Sequence, residues 1–219
     1  MPGTELCTSS SYIGLMFRRR VPDLDTDYLI QKLTGDEFLH VDILFVPALA
    51  SEDTPLGVGV PPHERNDSMR CVFTTFVKDT FRVRIPKEWG SRTDESHLLT
   101  LLPVSEEEFS RSRRYVADLC AANVPYNYLD LMLCAIPKWC SRRFAHDPPP
   151  YPIPSTVFCS QAALLMLRQA LPRDGGGGLM HTLNSRACRP QNLYEITRGA
   201  FHRVDVGAFV TRGGMVARQ

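Results

Sequence analysis

Ser155-Thr156-Val157-Phe158-Cys159-Ser160-Gln161 places a cysteine where a helix begins, ahead of the apolar run Ala162-Ala163-Leu164-Leu165-Met166-Leu167. Pro152 and Pro154 keep that helix from starting earlier, and Ser155 or Thr156 stands where an N-cap would. The unpaired N–H groups of a first helical turn surround a thiol at this position and favour the thiolate, which is the nucleophile. The alternative is a small buried hydrophobe, the commonest state of a free cysteine.

A second segment bears on that choice. Phe38-Leu39-His40-Val41-Asp42-Ile43-Leu44-Phe45-Val46-Pro47 alternates and then runs apolar, as a strand does, between Gly35-Asp36 and Pro47. A period of two puts His40, Asp42 and Leu44 on one face and Val41, Ile43 and Phe45 on the other. A cysteine nucleophile needs a base within hydrogen-bond reach, and a position far off in sequence can supply it.

With His-Val-Asp-Ile on a strand, further strands and helices after it, and Phe-Cys-Ser-Gln at a later helix start, the chain resembles the circularly permuted NlpC/P60 branch of the papain-like cysteine hydrolases. In the unpermuted order the cysteine helix comes first. The resemblance runs from about Tyr12 to Ile196 and includes Pro125-Tyr126-Asn127-Tyr128 and Pro190-Gln191-Asn192-Leu193-Tyr194. It implies Cys159 as nucleophile, His40 as base, Tyr126 and Gln161 as site-lining or oxyanion-side groups, and a third residue that orients His40. For that third residue Asp42 and the neighbouring-strand Thr75 (or Thr74) both remain open, since an i+2 neighbour on a regular strand is poorly placed to orient the imidazole. Gln161 departs from the Glu that many relatives carry two places after the cysteine. Compact members of this sort include viral proteins, so the resemblance also implies a viral chain, with virion association as one setting.

Composition limits the other classes. In 219 residues, 43% hydrophobic, there is enough apolar content for one substantial core, and a single domain over residues 1–210 with a tail at 211–219 is expected. The 25 basic and 24 acidic residues nearly cancel, so no global charge draws the chain to nucleic acid. The local runs Arg18-Arg19-Arg20 and Arg111, Arg113-Arg114 read as solvated surface. Seven cysteines in unpaired spacing, with no apolar leader before them, point to free thiols in a reducing, intracellular, cytoplasmic setting. The apolar stretches are too short to span a bilayer. No Cys-x-x-Cys, His-Glu-x-x-His or Gly-x-Ser-x-Gly occurs, so neither a metal site nor a cofactor nor a serine nucleophile is expected.

Along the chain, strands are expected at Tyr12–Phe17, Phe38–Val46, Arg70–Phe76, Thr80–Ile85 and Leu98–Leu102. Helices are expected at Asp23–Leu33, after the capping box Ser105-Glu106-Glu107-Glu108, over Leu129–Ile136, and from Cys159 onward. Glu52–Ser68 and Ser141–Pro154 read as loops, the second bordering Cys159. The fold class expected is α+β: a small, mainly antiparallel sheet holding His40, packed against helices that include the one headed by Cys159.

The chemistry expected is thiol-based acyl transfer on an amide or ester, as peptidase, isopeptidase, amidase or acyltransferase, with a peptide, protein-conjugate or lipid acyl substrate. Two rivals stand beside it. One is an inactive fold serving as a binding or scaffold protein; the other is a lipid acyltransferase or phospholipase, for which an apolar or basic rim beside the site would speak.

Overall fold

A computed structural model of the chain describes residues 10–19, 25–48, 72–77, 80–84, 97–134, 151–171 and 178–204. The loop expected at Glu52–Ser68, residues 141–150 of the second loop and the tail at 211–219 lie outside these residues.

Among the described residues six strands form one antiparallel sheet: β1 (Ser11–Arg19), β2 (Phe38–Val46), β3 (Val72–Val77), β4 (Thr80–Arg84), β5 (His97–Val104) and β6 (His202–Val204), in spatial order β4-β3-β2-β1-β5-β6. The helices among the described residues are α1 (Asp25–Thr34), α2 (Glu106–Ala121), α3 (Tyr128–Cys134), α4 (Cys159–Ala170), α5 (Gly178–Thr182) and α6 (Pro190–Thr197), with a short 3-10 turn at Ser185–Ala187. The fold is therefore mixed α and β, with the antiparallel sheet packed against helices. β6, α5 and α6 carry no strong sequence signal; elements this short are held only by the tertiary structure that they meet.

Alternation decides the two faces of the sheet. Ile13, Leu15 and Phe17 of β1 and Val41, Ile43 and Phe45 of β2 point to the helices, joining Phe109, Val116 and Leu119 of α2 and Ala162 to Leu167 of α4 in one buried cluster. The opposite face carries Tyr12, Met16, Leu44, Leu99 and Leu101 in a second cluster. Gly14 lies in that second row, opposite Leu44 and Leu101. A Cβ there would stand 2.8 Å from Leu101 Cδ2 and 2.9 Å from Leu44 Cβ, closer than real carbon contacts allow. Gly14→Ala is expected to destabilise the fold by about 1–3 kcal/mol through overpacking. Urea unfolding checks this, and an unchanged midpoint would show that the row can yield.

Local signals set the element ends. Ser105 accepts from the Glu108 amide while the Glu108 carboxylate accepts from the Ser105 amide, so the capping box forms as its sequence dictates. At the other end of α2, Asn123 takes a left-handed φ of 49°, its N–H donating to Cys120 O and that of Val124 to Leu119 O. Gly35, at φ +70°, ends α1 in the same way.

The basic runs are less solvated than expected: Arg18 and Arg113 are half-buried, and burial lowers the Arg113 pKa. α6 ties the start of β2 down. Gln191 Oε1 accepts from the amides of Glu37 and Phe38, both at 3.2 Å, and Arg189 pairs with the buried Asp36 at 3.0 Å.

Candidate active site

Cys159 is the first residue of α4, with Phe158 as its N-cap at φ −119°, ψ 169°. The expected side-chain cap is absent. Val157 is held in an extended bridge to Tyr126, which keeps Ser155 and Thr156 away from the first turn, and Thr156 Oγ1 instead accepts from Asn127 Nδ2 at 2.9 Å. α4 is buried nearly all round, as a helix with Ala, Leu and Met on every side must be. Its one buried cation, Arg168, donates to the carbonyls of Met180 and Leu183 and lies 4.8 Å over the Tyr151 ring.

β2 brings the imidazole. Arg18 pairs with His40 but Arg19 pairs with Phe38, so Leu39 is an extra residue, a bulge immediately before the histidine. Bulges add local twist and re-aim the side chains beside them. His40 and Asp42 lie on the same face, and Asp42 Oδ1 is 2.9 Å from His40 Nε2. His40 to Asp42 pair in regular register with Arg18 to Met16, so the contact forms between i and i+2 side chains of an unshifted stretch, contrary to the expectation that such an acid would be poorly placed. Thr75, the other candidate, pairs through its backbone with Arg82 on the outer hairpin.

A break in the sheet lets the helix in. The β2–β3 ladder covers only Ile43 to Phe45, opposite Thr74 to Val72, while Thr75 to Val77 pair with β4 alone. The edge of β2 at Val41 is thereby left to the start of α4, and the Val41 N–H donates to Cys159 Sγ. The His40 side chain hydrogen-bonds the same sulfur. With Nε2 engaged by Asp42, Nδ1 is the ring nitrogen left to face the thiol. Tyr126 OH donates to Sγ at 3.6 Å and accepts from the Cys159 backbone N–H.

These contacts settle the charges. Burial alone would raise the Cys159 pKa, but the His40 imidazolium, with hydrogen bonds from His40, Tyr126 and the Val41 amide, holds it below the ordinary thiol value. Burial alone would lower the His40 pKa; the Asp42 carboxylate and then the Cys159 thiolate overcome this and push it up to about 10. Burial and the adjacent thiolate raise Tyr126 well above a free phenol, so it remains a donor. Cys188, buried behind Ser160, is pushed up to about 12 by burial despite the nearby Arg168, and remains a thiol.

The structure thus brings Cys159, His40, Asp42 and Tyr126 together. Gln161 is buried on the first turn of α4, but its Oε1 has no hydrogen-bond partner and no described contact joins it to the other four. The Val41 amide and the Asn127–Thr156 link were not legible in sequence, because one is a backbone group and the other joins segments about thirty residues apart. Among the described residues no group of three or more His, Cys, Asp or Glu could hold a metal ion. His181 is a structural histidine, bridging Tyr151 OH at 2.8 Å and the Leu171 carbonyl at 2.9 Å. No helix among the described residues is long and apolar enough to cross a membrane. Set against known proteins, the chain matches no family model, no curated protein and no solved structure.

Proposed function

We propose that this chain is a cysteine hydrolase or acyltransferase with the permuted papain-like architecture of the NlpC/P60 group, acting on an amide or ester through Cys159 and His40. The observation that carries this reading is the continuous path Asp42–His40–Cys159–Tyr126, in which an acid, a base, a nucleophile and an oxyanion-side donor touch in order. Chain order is consistent with permutation, since the strand of His40 precedes the helix of Cys159.

In the proposed reaction the Cys159 thiolate attacks the carbonyl carbon, and the π electrons of the carbonyl move onto its oxygen. The Cys159 N–H and the Tyr126 hydroxyl stabilise that oxyanion once the substrate carbonyl displaces their mutual hydrogen bond. Collapse expels the amine or alcohol, which takes its proton from the His40 imidazolium, and leaves a thioester on Cys159. Neutral His40 then removes a proton from water, or from another acceptor, as that group attacks the thioester and the thiolate departs.

One observation favours a lipid or other apolar acyl substrate within this reading. Tyr128 and Leu129, at the start of α3, are 56% and 69% exposed, and the Tyr128 ring packs 4.5 Å from that of Tyr126. An apolar ledge thus adjoins the group that contacts the nucleophile.

The test is acyl-enzyme trapping. Wild-type protein incubated with p-nitrophenyl esters of short and long acyl chains, and with peptide nitroanilides, should gain one acyl mass on Cys159 and turn over. Cys159→Ala should lose turnover by at least about 10³-fold. An ionised Cys159 that forms no thioester with any of these activated carbonyls would assign the fold to binding rather than catalysis.

A further inference from the structure

We propose that Asn127 is a positioning residue for the nucleophile: its side chain fixes Tyr126 against the segment entering α4, and so seats the Tyr126 hydroxyl on Cys159 Sγ. This deepens the Cys–His reading and rests on it.

Asn127 is joined to its surroundings through every polar group that it has. Its N–H donates to Val157 O at 2.9 Å, and Val157 N–H donates to Pro125 O at 3.1 Å, so Tyr126 is bracketed in the parallel bridge. The Asn127 carbonyl accepts from Leu131 N at 3.2 Å and Oδ1 accepts from Asp130 N at 2.8 Å, which caps α3. Nδ2 donates to Thr156 Oγ1 at 2.9 Å. The bridge is only one residue long, and the Nδ2 bond adds a third tie across it, to Thr156 beside Val157. Val157 lies two residues before Cys159, so any slip of the bridge moves Tyr126 relative to the sulfur.

Tyr126 is the part of the site that depends on this link. His40 and Val41 reach Cys159 from β2 and are held by the sheet. Loss of the Asn127 link should therefore remove the Tyr126 contribution to thiol ionisation and leave that of His40.

Asn127→Ser keeps an N-cap oxygen but is too short to reach Thr156, while Thr156→Val is nearly isosteric and removes the acceptor alone. The experiment measures the pH midpoint of Cys159 alkylation by iodoacetamide, using peptide mass spectrometry, in wild type, both single variants, Tyr126→Phe, and each variant in the Tyr126→Phe background. Both single variants should raise the midpoint by an amount approaching that of Tyr126→Phe, and neither should add to it when Tyr126 is already Phe. A lowered melting temperature with an unchanged midpoint would make Asn127 merely structural and overturn the proposal. A shift that persists undiminished in the Tyr126→Phe background would overturn it too, by showing action through another group. A wild-type midpoint at the ordinary thiol value would sink the Cys–His reading itself, whereas a depressed wild-type midpoint untouched by Asn127→Ser sinks this proposal alone.

Discussion

Replacing His40 with alanine will move the alkylation midpoint of Cys159 from below the ordinary thiol value to about 8.5 or higher. The imidazolium is the largest favourable influence on the thiolate, opposing a burial that acts the other way. Without it that burial is met only by the hydrogen bonds from Tyr126 and the Val41 amide. A thiol of pKa 8.5 is only about 0.3% ionised at pH 6. Labelling below the ordinary thiol range should therefore be much slower in the variant than in wild type, and turnover should fall with it. A His40→Ala protein whose midpoint matches wild type would end the Cys–His assignment.

The same pair predicts the shape of stability against pH. The pKa of His40 is raised in the fold, so its contribution is complete below about 6.5 and is lost as pH rises toward 10. The pKa of Cys159 is depressed, so its contribution is complete above about 8.5 and is lost as pH falls toward its folded value. Between about 6.5 and 8.5 one gain offsets the other, because folding only transfers a proton from thiol to imidazole. Unfolding free energy should be level there and fall on both sides, by up to about 1.4 kcal/mol per pH unit for each proton. In His40→Ala the acid fall that belongs to this pair should disappear, because Cys159 then keeps its proton in the fold as it does in the unfolded chain.

Asp42→Asn should be the next most damaging change, lowering turnover by about 10²–10⁴-fold with little change of shape. Asp42 supplies the largest influence raising the His40 pKa. An amide in its place carries no charge, and its NH2 can donate to Nε2, which holds the proton on Nδ1 where the thiol proton must arrive; a wrong tautomer of this kind is costly in catalytic triads. The alkaline limit of the Cys159–His40 ion pair should move down from about 10 toward the free-histidine value, and the thiol midpoint should rise, though less than in His40→Ala. NMR titration of His40 together with alkylation profiles measures both. A variant with the wild-type profile would reduce Asp42 to a neighbour of no consequence for the site.

Cys159 at a helix start, His40 on an alternating strand and Tyr126 before a short helix are all readable from local pattern, since caps, prolines and periodicity act within a few residues. That local grammar erred where distant contacts intervened. Ser155 and Thr156 are good N-caps by composition, yet the bridge from Val157 to Tyr126 draws that stretch outward and leaves Phe158 as the cap. Strand periodicity places Asp42 on the face of His40 but gives no sign that the two side chains touch, which shows only in the structure.

Local pattern is enough for the residue types able to do thiol chemistry and, apart from β6, α5 and α6, for the elements: a helix opened by Cys159, a strand with His40 and Asp42, and a core of alternating and helical apolar residues. Only the tertiary structure decided that they meet. The β2–β3 ladder stops at Ile43, and α4 arrives at the edge of β2 so exposed, where the Val41 amide and His40 face the sulfur while Tyr126 is carried in on a separate segment. The physical reason is range. Capping and periodicity are fixed by neighbours in the chain, whereas the ionisation of Cys159 depends on charges and donors brought from positions more than thirty residues away, and those contacts exist only once the core has set the strands and helices in place.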